Sequence, residues 1–217
     1  MGQIFKNAEF CLDFAPSVIL TGDIDGDGRM ELAAVSANSA GVTCAAVYTA
    51  GGRLLWNFGS FCSGDFGVEV PAQLYDWDDD GFVELVCVTG GRFTVLDGRT
   101  GAVKQSFPVG FECAAVIPAS LDKPPGGVIL TDRQGMLRAY DGLFNLLWTK
   151  DGLPGVFPRA CDANLDGIDE IFTGRELLDG AGRLLWADST APMPDSVSAG
   201  YFDKKTDRKS TRLNSSH

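Results

Sequence analysis

The 217-residue chain is nearly without histidine: the single one, His217, is its last residue. A Ser-His or Cys-His catalytic pair, and a histidine metal site, are thereby excluded for everything before it. Long apolar runs are missing too. Nothing approaches the ~18 to 20 residues needed to cross a bilayer, so no membrane insertion is expected, and the opening MGQIFKNAEFCLDF lacks the basic start and apolar stretch of a signal peptide. Basic residues are few, 18 against 29 acidic, for a formal charge of -11. That balance argues against nucleic acid or an anionic membrane surface as partner, because both require clustered Lys and Arg. The six cysteines (Cys11, Cys44, Cys62, Cys87, Cys113, Cys161) show no CxxC spacing and hence no zinc motif. Cys44 in VTCAAVY and Cys87 in ELVCVTG read as small buried strand residues, with disulfide pairing left open.

Glycine, by contrast, is abundant, 27 residues sitting with Asp and Asn between short apolar runs, the punctuation of a turn-rich β-protein. These clusters repeat. The segments SVILTGDIDGDGRMELAAVSA (Ser17 to Ala37), PAQLYDWDDDGFVELVCVTG (Pro71 to Gly90), AAVIPASLDKPPGGVILTDRQG (Ala114 to Gly135) and FPRACDANLDGIDEIFTG (Phe157 to Gly174) stack on one another, anchored at Asp23, Asp76, Ser120 and Asp162. Downstream in each unit come a Gly turn and a strand: TAGGRLLW ending at Trp56, LDGRTGAVK ending at Lys104, YDGLFNLLW ending at Trp148, and LDGAGRLLW ending at Trp186. One unit is therefore a four-stranded antiparallel sheet of about 40 to 50 residues, and such units set radially make a propeller, which leaves only short, protected edges.

The expected fold is all-β, a β-propeller fragment of about four four-stranded blades. Its repeats fall at about residues 15–59, 60–108, 109–152 and 153–198, with the start of a fifth at 199–206, where VSAGYFD (Val197 to Asp203) aligns with ILTGDID. Closed rings mostly have more blades than this, so the ring is expected to be incomplete. Residues 207–217, DRKSTRLNSSH, break the alternation and match a one-frame translation of a sequencing-adapter oligonucleotide. They are expected to be a non-native tail that packs against nothing.

The first Asp/Gly turn places Asp23, Asp25 and Asp27 at positions one, three and five, Gly28 at six, Arg29 at seven and Glu31 at nine. Carboxylates at one, three and five of a tight loop converge on one centre, and Gly at six permits the sharp turn. A backbone carbonyl at seven and a carboxylate at nine complete an oxygen cage of the kind Ca²⁺ takes. The second loop repeats the layout with Asp76, Asp78, Asp80, Gly81, Phe82 and Glu84, and the fourth with Asp162, Asn164, Asp166, Gly167, Ile168 and Glu170. The opening matches the helical calcium hand, but the last carboxylate comes at nine and apolar strands flank the loop, so the site belongs on a β-turn. Asp and Gly are also favoured in plain solvated turns. Three loops filled alike favour the metal, because crowded carboxylates repel unless a cation neutralises them. Calcium is the expected cofactor. The third unit keeps only Asp122, with Lys123, Pro124 and Pro125 replacing the other ligands, and should hold its turn without metal. Trp56, Trp148 and Trp186, at a repeated position, read as core strand residues, although indoles there could also stack on sugars; Trp77, inside the second loop, is a candidate for an exposed stacking surface.

At DIDGDGRMEL, DWDDDGFVEL and DANLDGIDEI the chain resembles FG-GAP/VCBS repeats, the calcium-loop propeller units of integrin heads and of many bacterial surface and secreted proteins, over roughly residues 15 to 203. The resemblance implies a calcium-binding scaffold that presents loops to a protein or polysaccharide, in an extracellular or cell-surface setting. The fourth unit, DANLDGIDEIFTGRELLDGAGRLLWADST followed by SVSAGYFD, is similar also to the propeller of bacterial rhamnogalacturonan lyases. That second resemblance implies an alternative, a fragment of a calcium-dependent polysaccharide lyase. Those lyases carry a His-bearing stretch before the next blade, whereas APMPDSV (Ala191 to Val197) stands here. The residues single out no catalytic group.

Overall fold

The structure, a computed structural model, describes residues 9–65, 70–122, 126–152, 158–188, 190, 196–200 and 210–214. All regular structure among them is β-strand. The first blade runs β1 (Val18–Gly22), β2 (Glu31–Asn38), β3 (Gly41–Thr49), β4 (Leu54–Phe58), and the second β5 (Ala72–Tyr75), β6 (Glu84–Thr89), β7 (Arg92–Leu96), β8 (Val103–Pro108). The third runs β9 (Ala115–Ala119), β10 (Gly127–Thr131), β11 (Met136–Tyr140), β12 (Leu146–Asp151), and the fourth β13 (Arg159–Cys161), β14 (Glu170–Phe172), β15 (Glu176–Leu178), β16 (Leu184–Ala187). Each is an antiparallel meander in chain order, so the chain is an all-β propeller fragment of four four-stranded blades, as its repeats imply.

In every blade the Asp/Gly loop joins the first strand to the second and the Gly turn joins the third to the fourth. The register slips at the same step in all four, at Val47/Tyr48, Val95/Leu96, Ala139/Tyr140 and Leu177/Leu178. That bulge leaves one extra residue in the fourth strand: Leu55, Lys104, Leu147 or Leu185. The pairing also sets Trp56, Trp148 and Trp186 level with Gln105 rather than Lys104. The cause is the turn before β8, where Asp97 N–H donates to the Ala102 carbonyl, one residue farther along than the Asp179 to Arg183 bond that closes the corresponding turn of the fourth blade.

Contacts divide the chain into two compact units, residues 1–76 with 80–112, and residues 77–79 with 113–217. In the first unit two blades share a core that includes Ile24, Ala33, Val35, Val47, Leu85 and Leu96. β2 and β6 are buried along almost their whole length while β1 alternates, as expected of inner strands covered on both faces. Trp56 joins the blades. Its Nε1–H donates to the Gly98 carbonyl at 2.6 Å, and its ring lies on Gly101, where a Cβ would come within 2.6 Å of it. Gly101 also has φ 70, so a side chain is unwelcome there twice over. Burial pushes the Asp97 carboxyl of this turn up, but hydrogen bonds from Thr100 and the nearby Arg99 outweigh it and hold the group below its ordinary value.

In the second unit the shared core includes Ile117, Ala119, Ile129, Leu137, Ile171 and Leu178. Trp148 repeats the joint, donating to the Gly180 carbonyl at 2.9 Å and lying on Gly182. Trp186, expected in the core, is instead 46% exposed beside the exposed Leu184 and Leu185. Among the described residues no further Gly turn seats its indole, whose ring neighbour is Phe172 of the same blade, centroids 6.5 Å apart.

β17 (Ser196–Gly200), overlapping the expected opening of a fifth unit, pairs antiparallel with β18 (Ser210–Asn214). β18 lies in the stretch expected to pack against nothing. The reason for the difference is that a strand edge offers unpaired N–H and C=O groups, and a backbone ladder accepts a nearby extended segment almost regardless of its side chains. Cys44 and Cys87 are buried, as expected of small strand residues, and both are free thiols; burial pushes the Cys87 thiol up to about 12.

The unequal seating of three tryptophans at one repeat position predicts unequal costs of removal. Trp56→Ala should destabilise by about 3 kcal/mol or more, Trp148→Ala by less, and Trp186→Ala by under about 1 kcal/mol as at other exposed sites. Equilibrium urea unfolding measures all three, and equal losses would show that the glycine seats do not matter.

Candidate metal centre

Three of the four Asp/Gly loops fold on one hydrogen-bond template. The position-six glycine N–H donates to the position-one aspartate Oδ2, Gly28 to Asp23 at 3.0 Å, Gly81 to Asp76 at 3.0 Å and Gly167 to Asp162 at 3.1 Å. The position-seven N–H donates to the position-five Oδ1, Arg29 to Asp27, Phe82 to Asp80 and Ile168 to Asp166, at 2.8 to 2.9 Å. Position six has φ of 83, 84 and 88, which its glycines adopt without cost. Position four is left-handed as well, at Gly26, Asp79 and Leu165. A leucine at φ 67 carries about 1 kcal/mol or more of strain. Composition alone conceals that feature, because only one of the three position-four residues is glycine.

The glutamate at position nine is the first residue of the second strand, so it enters the core with that strand. Glu31, Glu84 and Glu170 are 2%, 1% and 4% exposed. Glu31 Oε2 accepts from Ile24 N–H at 3.0 Å and Glu170 Oε2 from Ala163 N–H at 2.6 Å. Position two turns inward for the same geometric reason, since alternation along the chain aims one and three at the loop centre and two at the core. Ile24 is fully buried there, and Trp77, a candidate for an exposed stacking surface, is 1% exposed and offers none.

Within this common frame the charge is handled differently in each loop. In the first, carboxylate oxygens of Asp23, Asp25, Asp27 and Glu31 all lie within 4.8 Å of one another. Asp23 Oδ1 is buried and has no hydrogen-bond partner among the described residues. Burial, then repulsion from Asp25 and Asp27, raises the Glu31 carboxyl above its ordinary value despite the Ile24 hydrogen bond. In the second, Asp76, Asp78 and Glu84 gather in the same way, and the Lys104 ammonium reaches Glu84 Oε1 at 3.0 Å and Asp80 Oδ2 at 3.5 Å. Sequence reasoning missed Lys104, which looks like an ordinary strand residue until the bulge turns it toward the loop. In the fourth, Asn164 replaces one carboxylate, and its Nδ2 donates to Glu170 Oε1 at 2.8 Å and Asp166 Oδ2 at 2.9 Å.

The third loop holds no such cluster among the described residues. Asp122 is exposed, and Lys123, Pro124 and Pro125 lie outside the described residues. Its position-one residue, Ser120, is tied through both of its backbone groups to Asp169 of the fourth loop: Asp169 N–H donates to the Ser120 carbonyl at 2.7 Å, and Ser120 N–H donates to the Asp169 side-chain Oδ2 at 2.8 Å. Beside the fourth loop a cleft of roughly 600 Å³ is bordered by Asn164, Asp166, Glu170, Trp148 and Arg183.

No protein-family model and no curated protein matches the chain. Among solved structures, the rhamnogalacturonan lyase PL11 of Bacillus licheniformis is similar with a TM-score of 0.65 at 19% identity, over 90% of this chain and 46% of that one. The exotype rhamnogalacturonan lyase YesX gives 0.63 at 18%, over 90% and 44%. The V. cholerae biofilm matrix protein Bap1 gives 0.56 at 19%, over 90% and 34%. The chain thus spans less than half the length of each of these structures, and at such identities the likeness is one of fold.

Four carboxylates held together with no basic partner among the described residues should repel in metal-free buffer. Asp25→Asn keeps the Oδ1 that accepts from Asp27 N–H while removing one charge, and should raise stability by about 1 kcal/mol in chelator. A fall in melting temperature under those conditions would show that repulsion is not what limits this loop.

Proposed function

We propose that this chain is a calcium-binding β-propeller scaffold of the FG-GAP/VCBS type, which holds Ca²⁺ in its first, second and fourth Asp/Gly loops and presents its loop edge to a polysaccharide or another protein. The observation that carries the reading is the first loop. Asp23, Asp25, Asp27 and Glu31 converge on one centre, and the buried, unpartnered Asp23 Oδ1 suits a hard cation that prefers oxygen ligands. The backbone carbonyls of Arg29, Phe82 and Ile168 would add the position-seven ligand in each loop. A setting with millimolar calcium, extracellular or at the cell surface, fits such sites. Among the described residues no helix is long and apolar enough to cross a membrane.

A second reading, a fragment of a calcium-dependent rhamnogalacturonan lyase, is favoured by the likeness in fold to two such lyases and by the cleft that sets an acidic loop beside Arg183. Calcium held there would neutralise a uronate carboxylate and so ease removal of the neighbouring proton.

Extracellular calcium modules bind with Kd on the order of 10⁻⁴ to 10⁻³ M, so at millimolar calcium each occupied site adds roughly 0.4 to 1.4 kcal/mol by mass action. A calcium titration of melting temperature should therefore show stabilisation that Asp25→Ala and Asn164→Ala each reduce and that Asp122→Ala leaves intact. No response in the unmodified protein would end the calcium reading. Incubation with rhamnogalacturonan and calcium separates the two functions: growth of unsaturated-uronate absorbance marks a lyase, and retention of the polysaccharide without it marks the scaffold.

A further inference from the structure

The bulge at the start of the fourth strand holds leucine in three blades and Lys104 in the second. Its side chain is 24% exposed and lies beside a carboxylate only 1% exposed, with Nζ 3.0 Å from Glu84 Oε1 and 3.5 Å from Asp80 Oδ2. Both acceptors are position-nine and position-five groups of the acidic loop. Glu31, the matching residue of the first loop, meets no ammonium among the described residues; its bond is to Ile24 N–H. Neither do the Asn164-centred contacts of the fourth loop involve one. A positive charge from a different strand therefore stands at the second loop, and none does so at the first among the described residues.

We infer that Lys104 is a tethered counter-ion that makes the second loop a selective, low-affinity calcium site. This deepens the calcium reading and rests on it. The ammonium satisfies Glu84 and Asp80 when calcium is scarce, so this loop keeps its shape without metal. A divalent ion must displace the ammonium to gain the same oxygens, and a displaced lysine has solvent within reach because its side chain is only partly covered. The first loop, with four carboxylates and no such tether among the described residues, fills first, and the second fills only as calcium rises further.

The test uses Ca²⁺ itself, titrated calorimetrically into the 217-residue chain with the first and fourth loops silenced by Asp25→Ala and Asp166→Ala. Lys104→Met, which keeps the stem and loses the charge, should tighten binding at the second loop by about ten- to a hundredfold, the difference a charge-assisted contact typically makes. Lys104→Arg should keep binding weak. In chelator, Lys104→Met should lower the melting temperature and Lys104→Arg should restore it. Equal calcium affinity with lysine and methionine, or a second loop that binds no calcium in either while the unsilenced first loop does, overturns the tether and leaves the calcium reading standing. Absence of calcium binding at every loop of the unmodified chain overturns both.

Discussion

A strand buried on both faces must put its polar chemistry at its ends, and in three blades the first residue of that strand is a glutamate. Glu31, Glu84 and Glu170 are drawn into the core because the apolar residues that follow them are. A carboxylate so placed is costly unless it is hydrogen-bonded and its charge answered. The loop before each glutamate is organised around that need. In the first and fourth loops the backbone offers the glutamate an N–H from position two, and in all three the aspartates are fixed by the N–H groups of positions six and seven. The result is a rigid ring of oxygen atoms at the root of the buried strand.

The three loops share geometry and differ in charge. The first leaves four carboxylates unanswered among the described residues, the second brings Lys104 across from β8, and the fourth substitutes the Asn164 amide. Where no buried glutamate begins the second strand, as at Gly127 of the third blade, the acidic loop is also missing. The covariation within a single chain argues that loop and glutamate form one device, and that the third blade does without both by leaning on Asp169 of its neighbour.

The second recurring contact is the indole on a glycine turn. Trp56 and Trp148 each hydrogen-bond a turn carbonyl of the next blade in their own unit and cover a glycine two or three residues on. The glycines are needed because the ring lies where a Cβ would stand. A tryptophan is thus bound to the blade that follows it, and its burial depends on the presence of that turn more than on its own strand. Trp186 carries the same residue in the same register and remains half exposed.

Much of this was legible in the residues. The period of the repeats, the four-stranded blades and the loops that gather carboxylates follow from local patterns, because alternation, Asp/Gly turns and short hairpins are decided by residues close in sequence. The acidic positions one, three, five and nine could be named for the same reason. What only the tertiary structure decided are contacts between distant residues. Lys104 meets Glu84 across two strands because a bulge turns it there. Trp77 is buried because position two of a loop faces inward. Trp186 differs from Trp56 through the seat beneath it, and β18 pairs because β17 offers an open edge. Each outcome depends on which backbone lies beside which, and a linear pattern of residue types does not specify that.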